Sequence, residues 1–341
     1  MADQIEITPY HWAGFIVSVL LFLSLDLGVF HRRAHVVSFR EALVWTAVWF
    51  SLAMVFTFNF VKPNMGEKKA VLFITGYITE LSLSMDNVFV IALIFSYFRI
   101  PPEYQHRVLF WGILGALIMR GLMILVGVGL IDRFQWILYL FGLFLVYSGV
   151  KMMLSEEEGV HPEKNPVIRL ARKLYPVTIN YEGQKFFARR DGRSALTPLA
   201  IVLLMVETTD LVFAVDSIPA IFGLTTDPFV VFTSNIFAIL GLRSLYFVLA
   251  GAIGYFRYLK IGLSVVLVFI GVKMLLDPHA HEGTSDASSK FWFQIDIEPQ
   301  ISLAVVLSII LTSIVFSVIV ARRHQASPTK GGKNDAEAES P

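Results

Sequence analysis

Seven ionisable side chains fall inside stretches that are otherwise apolar: Glu80, Asp86, Glu207, Asp210 and Asp216 carry carboxylates, and Arg120 and Arg243 carry guanidinium groups. Each such group at a bilayer centre costs about 2.5 to 3.5 kcal/mol on insertion scales, so a set of them persists only where the members pair or bind something. Glu80 and Asp86 stand six residues apart, and Asp210 and Asp216 repeat that spacing. Six residues of helix separate two side chains by about 9 Å along the axis and about 120° around it. Glu207 and Asp210, three apart, share a helix face. Where the two acidic helices meet, Asp86 and Asp216 are expected to face one centre, with Glu80 and Asp210 flanking it. The four repeated carboxylates exceed the two guanidinium groups by two negative charges, which suits one divalent cation. A guanidinium cannot coordinate a cation, so Arg120 and Arg243 are expected as counter-ions.

Neutral donors surround these positions. Asn87 and Ser217 follow Asp86 and Asp216, while Thr79 and Thr209 precede Glu80 and Asp210 and are expected to bond their own helix backbone. Asp26 lies near the end of the first apolar stretch, either as a further ligand or as a partner of Arg32 or Arg33. Pro219 should free backbone carbonyls and kink its helix beside Asp216. Asn235 is a further candidate ligand. Carboxylate, amide and hydroxyl oxygens favour hard cations such as Mg²⁺, Ca²⁺ and Mn²⁺, and no His stands near the carboxylates to favour zinc or nickel. The choice among hard divalent ions stays open at this level. His279, His281 and Glu282 are expected to belong to a solvated loop rather than a metal site. No His-Glu-x-x-His motif is present, so no metalloenzyme, and no enzyme, is expected.

The elements that hold these residues are membrane helices. The chain of 341 residues is 55% hydrophobic and 16% charged, with a mean hydropathy of +0.65. A soluble domain carries about a quarter of its residues as charges, so a water-soluble fold is excluded. With a net charge of +1, nothing draws the chain to nucleic acid. Cysteine is absent, which removes disulfides, thiolate metal sites and Cys nucleophiles. Nine stretches are apolar enough to span about 30 Å of hydrocarbon: 11–30, 41–61, 71–98, 108–131, 134–153, 197–222, 229–252, 260–276 and 300–321. The fold class is an all-α polytopic membrane protein. With the N-terminus outside and the C-terminus inside, the inner segments hold 20 Lys and Arg and the outer segments 6, as the positive-inside rule demands.

The chain also echoes itself. Thr79-Glu80, five residues, Asp86-Asn87 matches Thr209-Asp210, five residues, Asp216-Ser217. Arg120 then aligns with Arg243, Gly112 with Asn235, and Gly149-Val-Lys151 with Gly271-Val-Lys273. Each unit holds three helices, an odd number, so the second is expected inverted with respect to the first, an arrangement in which secondary transporters bind cargo near the midplane. The organisation is therefore helices 1 and 2 over 1–70, a first repeat over 71–153, a cytoplasmic connection over 154–196, a second repeat over 197–276, an outer loop over 277–299, and a last helix with a disordered tail over 300–341.

At these residues the chain resembles the TerC/Alx membrane proteins. The resemblance is carried by Thr197-Pro-Leu, Glu207-Thr-Thr-Asp210, Phe213 through Phe222, Asp227-Pro-Phe, Thr233 through Tyr246, Glu80 through Asn87, and Ser24 through Phe30. It implies manganese efflux across a bacterial inner membrane, with Glu80, Asp86, Asp210, Asp216 and Asp26 as the acidic metal site. Mn²⁺ then enters as cargo, with no resident cofactor, and protons return in exchange; a homodimer is left open. A Ca²⁺/H⁺ exchanger on the same site, and a membrane scaffold assisting protein metalation or maturation, are the alternatives.

Overall fold

The computed structural model describes residues 7–25, 38–154, 163, 165–190, 193–250, 259–276 and 297–326. Apolar runs become helices because a chain in lipid must satisfy its backbone groups internally. They are α1 (Pro9–Leu25), α2 (Phe39–Phe56), α3 (Lys62–Met65), α4 (Glu67–Tyr97), α5 (Pro102–Arg133) and α6 (Ile137–Leu154) in the first half. A short α7 (Pro166–Leu174) and the antiparallel pair β1 (Phe187–Arg190) and β2 (Arg193–Leu196) follow. The second half holds α8 (Pro198–Phe222), α9 (Pro228–Ala250), α10 (Leu259–Leu276) and α11 (Pro299–Ala326).

Punctuation sets these boundaries. Gly66, at φ 93°, separates α3 from α4, a backbone conformation that only glycine adopts at little cost. A π-helical turn over Thr57–Val61 joins α2 to α3, just ahead of Pro63, which has no N–H to donate. The Thr197 hydroxyl accepts from Ala200 N to start α8. Asp227 Oδ1 accepts from Phe229 N and Val230 N to start α9, and Asp227 Oδ2 meets Lys69 Nζ at 2.8 Å.

Among the described residues, seven helices are long and apolar enough to cross a membrane. The nine expected stretches coincide with helices where described, apart from up to three residues at their ends, and α1 and α10, which adjoin undescribed residues, are not among those seven. The protein is thus a predominantly helical, multi-pass membrane protein.

Helix α9 is the central post: 94% of its span is buried, against 17% for α11. It packs on α2, α4 and α5, while α4 also meets α8 and α11. Exposed Leu122, Leu125 and Val126 on α5 and Leu311, Val315 and Phe316 on α11 form part of the lipid-facing surface. Antiparallel packing joins α4 to α8 and α6 to α10. Between α4 and α8, Gly76 faces Ile221 and Asn87 bonds Asp210. Between α6 and α10, a Cβ at Gly142 would lie 3.0 Å from the Gly271 carbonyl and one at Gly149 would lie 2.8 Å from the Ser264 carbonyl. Small residues bring these backbones into direct contact.

The connection between α6 and α8 caps the ends of α4, α5 and α8. Tyr181 donates its hydroxyl to the Phe98 carbonyl at 2.8 Å, Arg107 donates to Gln184 at 3.2 Å, and the same guanidinium lies over the Phe186 ring. Burial pushes the Tyr181 phenol above its ordinary value of 10.0. Pro219 does not interrupt α8, which runs through it and ends at Phe222. Asp26, His279, His281, Glu282 and the expected tail beyond 326 lie outside the described residues.

Candidate buried acid–arginine site

Arg120 is the hub. It projects from α5 into the contact between α4 and α8 and is 1% exposed. Its Nη2 meets Asp210 Oδ1 at 3.0 Å and its Nε meets Asp210 Oδ2 at 3.3 Å, a bidentate pairing of fork and carboxylate. Its Nη1 reaches Glu80 Oε1 and the Ser217 hydroxyl at 3.3 Å. Ser84, one turn beyond Glu80, donates to the same Glu80 oxygen at 3.2 Å, and Asn87 Nδ2 donates to Asp210 Oδ1 at 2.5 Å. Glu80 and Asp210 are buried with it, so both charges are held by a cation and by hydrogen bonds rather than by water.

The network leaves oxygens over. Glu80 Oε2, Asn87 Oδ1 and Thr79 Oγ1 have no hydrogen-bond partner among the described residues, and neither polar atom of fully buried Asn235 has one. Buried polar atoms are ordinarily paired, so such a group marks a place where a water, an ion or another conformation completes the bonding. Of the two threonines, Thr209 bonds the Met205 carbonyl of its own helix and Thr79 does not. Beside the network a cavity of about 30 Å³ is lined by Asn87 and Asp210 together with Gly112, Ala116, Arg243 and Tyr246, room for about one or two water-sized groups.

The other acidic candidates have their own surroundings. Asp216 is half-buried and accepts from the Ser148 hydroxyl of α6 at 2.7 Å. Asp86 is half-buried on α4. The Glu207 carboxylate lies across Gly115 of α5, in space that any side chain at 115 would need. Among the described residues no three acidic or histidine side chains converge as a metal would require. In the structure Glu80 and Asp210 are joined through Arg120, while Asp216 bonds Ser148 of α6. The register of α4 on α8, fixed by Gly76 against Ile221 and Asn87 against Asp210, sets Asp86 near the level of Asp210 and Asp216 near that of Glu80. The two levels lie about 9 Å apart, and Arg120 bridges them.

Sequence reasoning passed over Ser84 and Ser148. Ser84 was legible as the fourth residue after Glu80, on the same helix face. Ser148 had no mark beyond its place beside Gly149. The cavity coincides with Gly112, the position where the internal alignment sets a glycine against Asn235.

An all-helical, multi-pass bundle with an arginine–carboxylate network buried in its interior is the architecture of a polytopic integral membrane protein built to hold charge within the bilayer. The chain belongs to the integral membrane protein TerC family, whose pattern matches residues 65–325. It is 50% identical to an uncharacterised membrane protein of Myxococcus xanthus over 326 residues, 96% of this chain and 97% of the relative. It is 43% identical over 325 residues to a proposed membrane-bound redox modulator, Alx, of Escherichia coli strain K12, covering 93% and 97% of the two chains. It is 47% identical over 282 residues to the protein of the same name in Salmonella typhi, covering 80% and 88%. No solved structure matches it.

Proposed function

We propose that the protein exports a divalent metal cation, Mn²⁺, from the cytoplasm across a bacterial inner membrane, through the acidic set between α4 and α8. The observation that carries this reading is the buried Glu80–Arg120–Asp210 network beside a cavity, with the Glu80 and Asn87 oxygens left unpaired. In this arrangement Arg120 occupies the carboxylates that the cargo needs. An arriving cation competes with the guanidinium for Glu80 and Asp210, and Asn87 and Asn235 supply neutral oxygens. Asp86 and Asp216, at the two levels, serve as entry and exit carboxylates, with Arg243 at the cavity wall and protons returning on the acids. Glu207 and Asp26 stand as accessory acids.

The packing supports an inverted pair of three-helix units, α4–α6 and α8–α10. Helices expected to be equivalent, α4 with α8 and α6 with α10, meet antiparallel, as a two-fold axis across them requires. The Lys and Arg distribution then favours the N-terminus outside and the C-terminus inside. The name of the Alx relatives speaks of redox modulation. With no cysteine in the chain, its side chains offer no thiol exchange, and control of a redox-active metal ion is a route that its oxygen donors permit.

The test is ⁵⁴Mn²⁺ uptake into everted membrane vesicles at matched expression, with ⁴⁵Ca²⁺ in parallel. Flux in the wild type, lost in Asp86→Asn/Asp216→Asn, is the expected outcome. Calcium flux without manganese flux would replace the cargo. No flux of either ion would overturn transport and bring the scaffold reading forward.

A further inference from the structure

Helix α7 has a face that stays exposed among the described residues. Asn165 caps it by accepting from Val167 N and Ile168 N, and Ile168 (0% exposed) packs into the core. At about 100° per residue, Val167, Leu170 and Leu174 fall together on a second face, and they are 40%, 56% and 65% exposed. Arg169, Arg172 and Lys173, all exposed, form a third face on the other side of the helix. Apolar side chains of this size left open beside a basic face are the mark of a helix lying in a membrane interface.

Depth supports the same conclusion. The Asn165 amide touches the Met205 sulfur at 3.6 Å, and Met205 lies seven residues into α8. The start of helix α7 therefore lies alongside the first turns of α8, beside spans whose own surfaces face lipid, rather than out beyond them. Phe187 on β1, 64% exposed, adds a further apolar group to this cap. The geometry points to α7 as an interfacial anchor that lies in one leaflet, with Val167, Leu170 and Leu174 among the upper acyl chains and Arg169, Arg172 and Lys173 on acidic lipid headgroups. The partner is an anionic bilayer surface, bound independently of the acid–arginine site.

Because the chain has no cysteine, single cysteines report on this directly. The full chain carrying Leu170→Cys or Glu182→Cys is reconstituted into vesicles of phosphatidylcholine, with and without phosphatidylglycerol as a third of the lipid. A water-soluble maleimide should label position 170 at least about tenfold more slowly than the exposed turn at 182. A fluorophore at 170 should be quenched by lipids spin-labelled high on the acyl chain, and more strongly with phosphatidylglycerol present. Arg169→Gln/Arg172→Gln/Lys173→Gln should abolish the phosphatidylglycerol effect and leave labelling at 182 unchanged. Equal labelling at 170 and 182 without quenching would put α7 in water and overturn the proposal. Protection at 170 without lipid quenching would overturn it in favour of a protein partner. A phosphatidylglycerol effect that survives the triple substitution would overturn the headgroup assignment.

Discussion

Arg120 and Asn235 are both fully enclosed polar side chains, yet removing them should have opposite consequences. Arg120 compensates Glu80 and Asp210, and truncating one member of a buried ion pair strands the others at a cost of about 3 to 5 kcal/mol. Arg120→Ala is therefore expected to unfold well below the wild-type temperature in detergent, and Arg120→Ala/Glu80→Gln/Asp210→Asn to recover most of that loss. A triple variant no more stable than the single one would mean that the guanidinium packs rather than pairs. Asn235 bonds nothing among the described residues, so Asn235→Leu removes an unpaid desolvation and should leave stability unchanged or raise it. If Asn235 meets the cargo, the same substitution lowers ⁵⁴Mn²⁺ flux at least about tenfold, the loss expected when one good oxygen donor is withdrawn. Stability lost together with flux would make Asn235 structural instead.

At the scale of elements, the glycines of α6 and α10 decide how closely those helices approach. A methyl group at Gly149 has the Ser264 carbonyl 2.8 Å away, whereas one at Gly129 on α5 meets nothing within 4 Å. Gly149→Ala should cost about 1 to 3 kcal/mol by overpacking, and Gly129→Ala should be neutral or slightly stabilising, read as shifts of the unfolding midpoint. The cap has its own signature. Burial raises the Tyr181 phenol above 10.0, so by linkage its contribution is whole below that value and lost only as pH rises beyond it. Cap contacts reported by protease resistance should thus be constant between neutral pH and pH 9 and weaken only above pH 10. Tyr181→Phe removes the bond to the Phe98 carbonyl at every pH. Much of this level was legible in the sequence. Apolar runs must become helices in lipid, the repeated six-residue acidic spacing marked the helices of Glu80 and Asp210 as equivalent, and arginine within a span demanded carboxylate partners. The register of α4 on α8 was not legible. It is set by Gly76 fitting Ile221 and Asn87 reaching Asp210, contacts between residues more than 120 positions apart, and a slide of either helix would regroup the acids. Nor could spacing within one helix reveal that Ser148 of α6 bonds Asp216.

Across the whole molecule, the two sides of the Arg120 network differ. Towards the cap, Gly112 and Ala116 of α5 and Tyr246 of α9 line the small cavity. On the other side the structure is filled: Gly76 lies against Ser234 and Ile221, Gly127 lies against Phe222, and the Lys69–Asp227 ion pair ties the start of α4 to that of α9. A carrier alternates between such states, and the balance moves only by the difference in interaction between them. Breaking a tie present on one side should therefore favour opening on that side. Ala116→Cys, on the cavity wall, should react with a small hydrophilic thiol reagent applied from the cap side, while Ala220→Cys, buried in the filled half, should not. Adding Lys69→Met should slow the reaction at 116 and expose 220 to reagent from the opposite side. Asp227 then retains its helix-capping bonds to Phe229 and Val230, so α9 still starts where it did. Mn²⁺ should shift both rates in the same vesicles, since a transported ion must be seen by both states. Rates at 116 and 220 that respond neither to Lys69→Met nor to Mn²⁺ would describe a rigid bundle, and would favour a scaffold over a carrier.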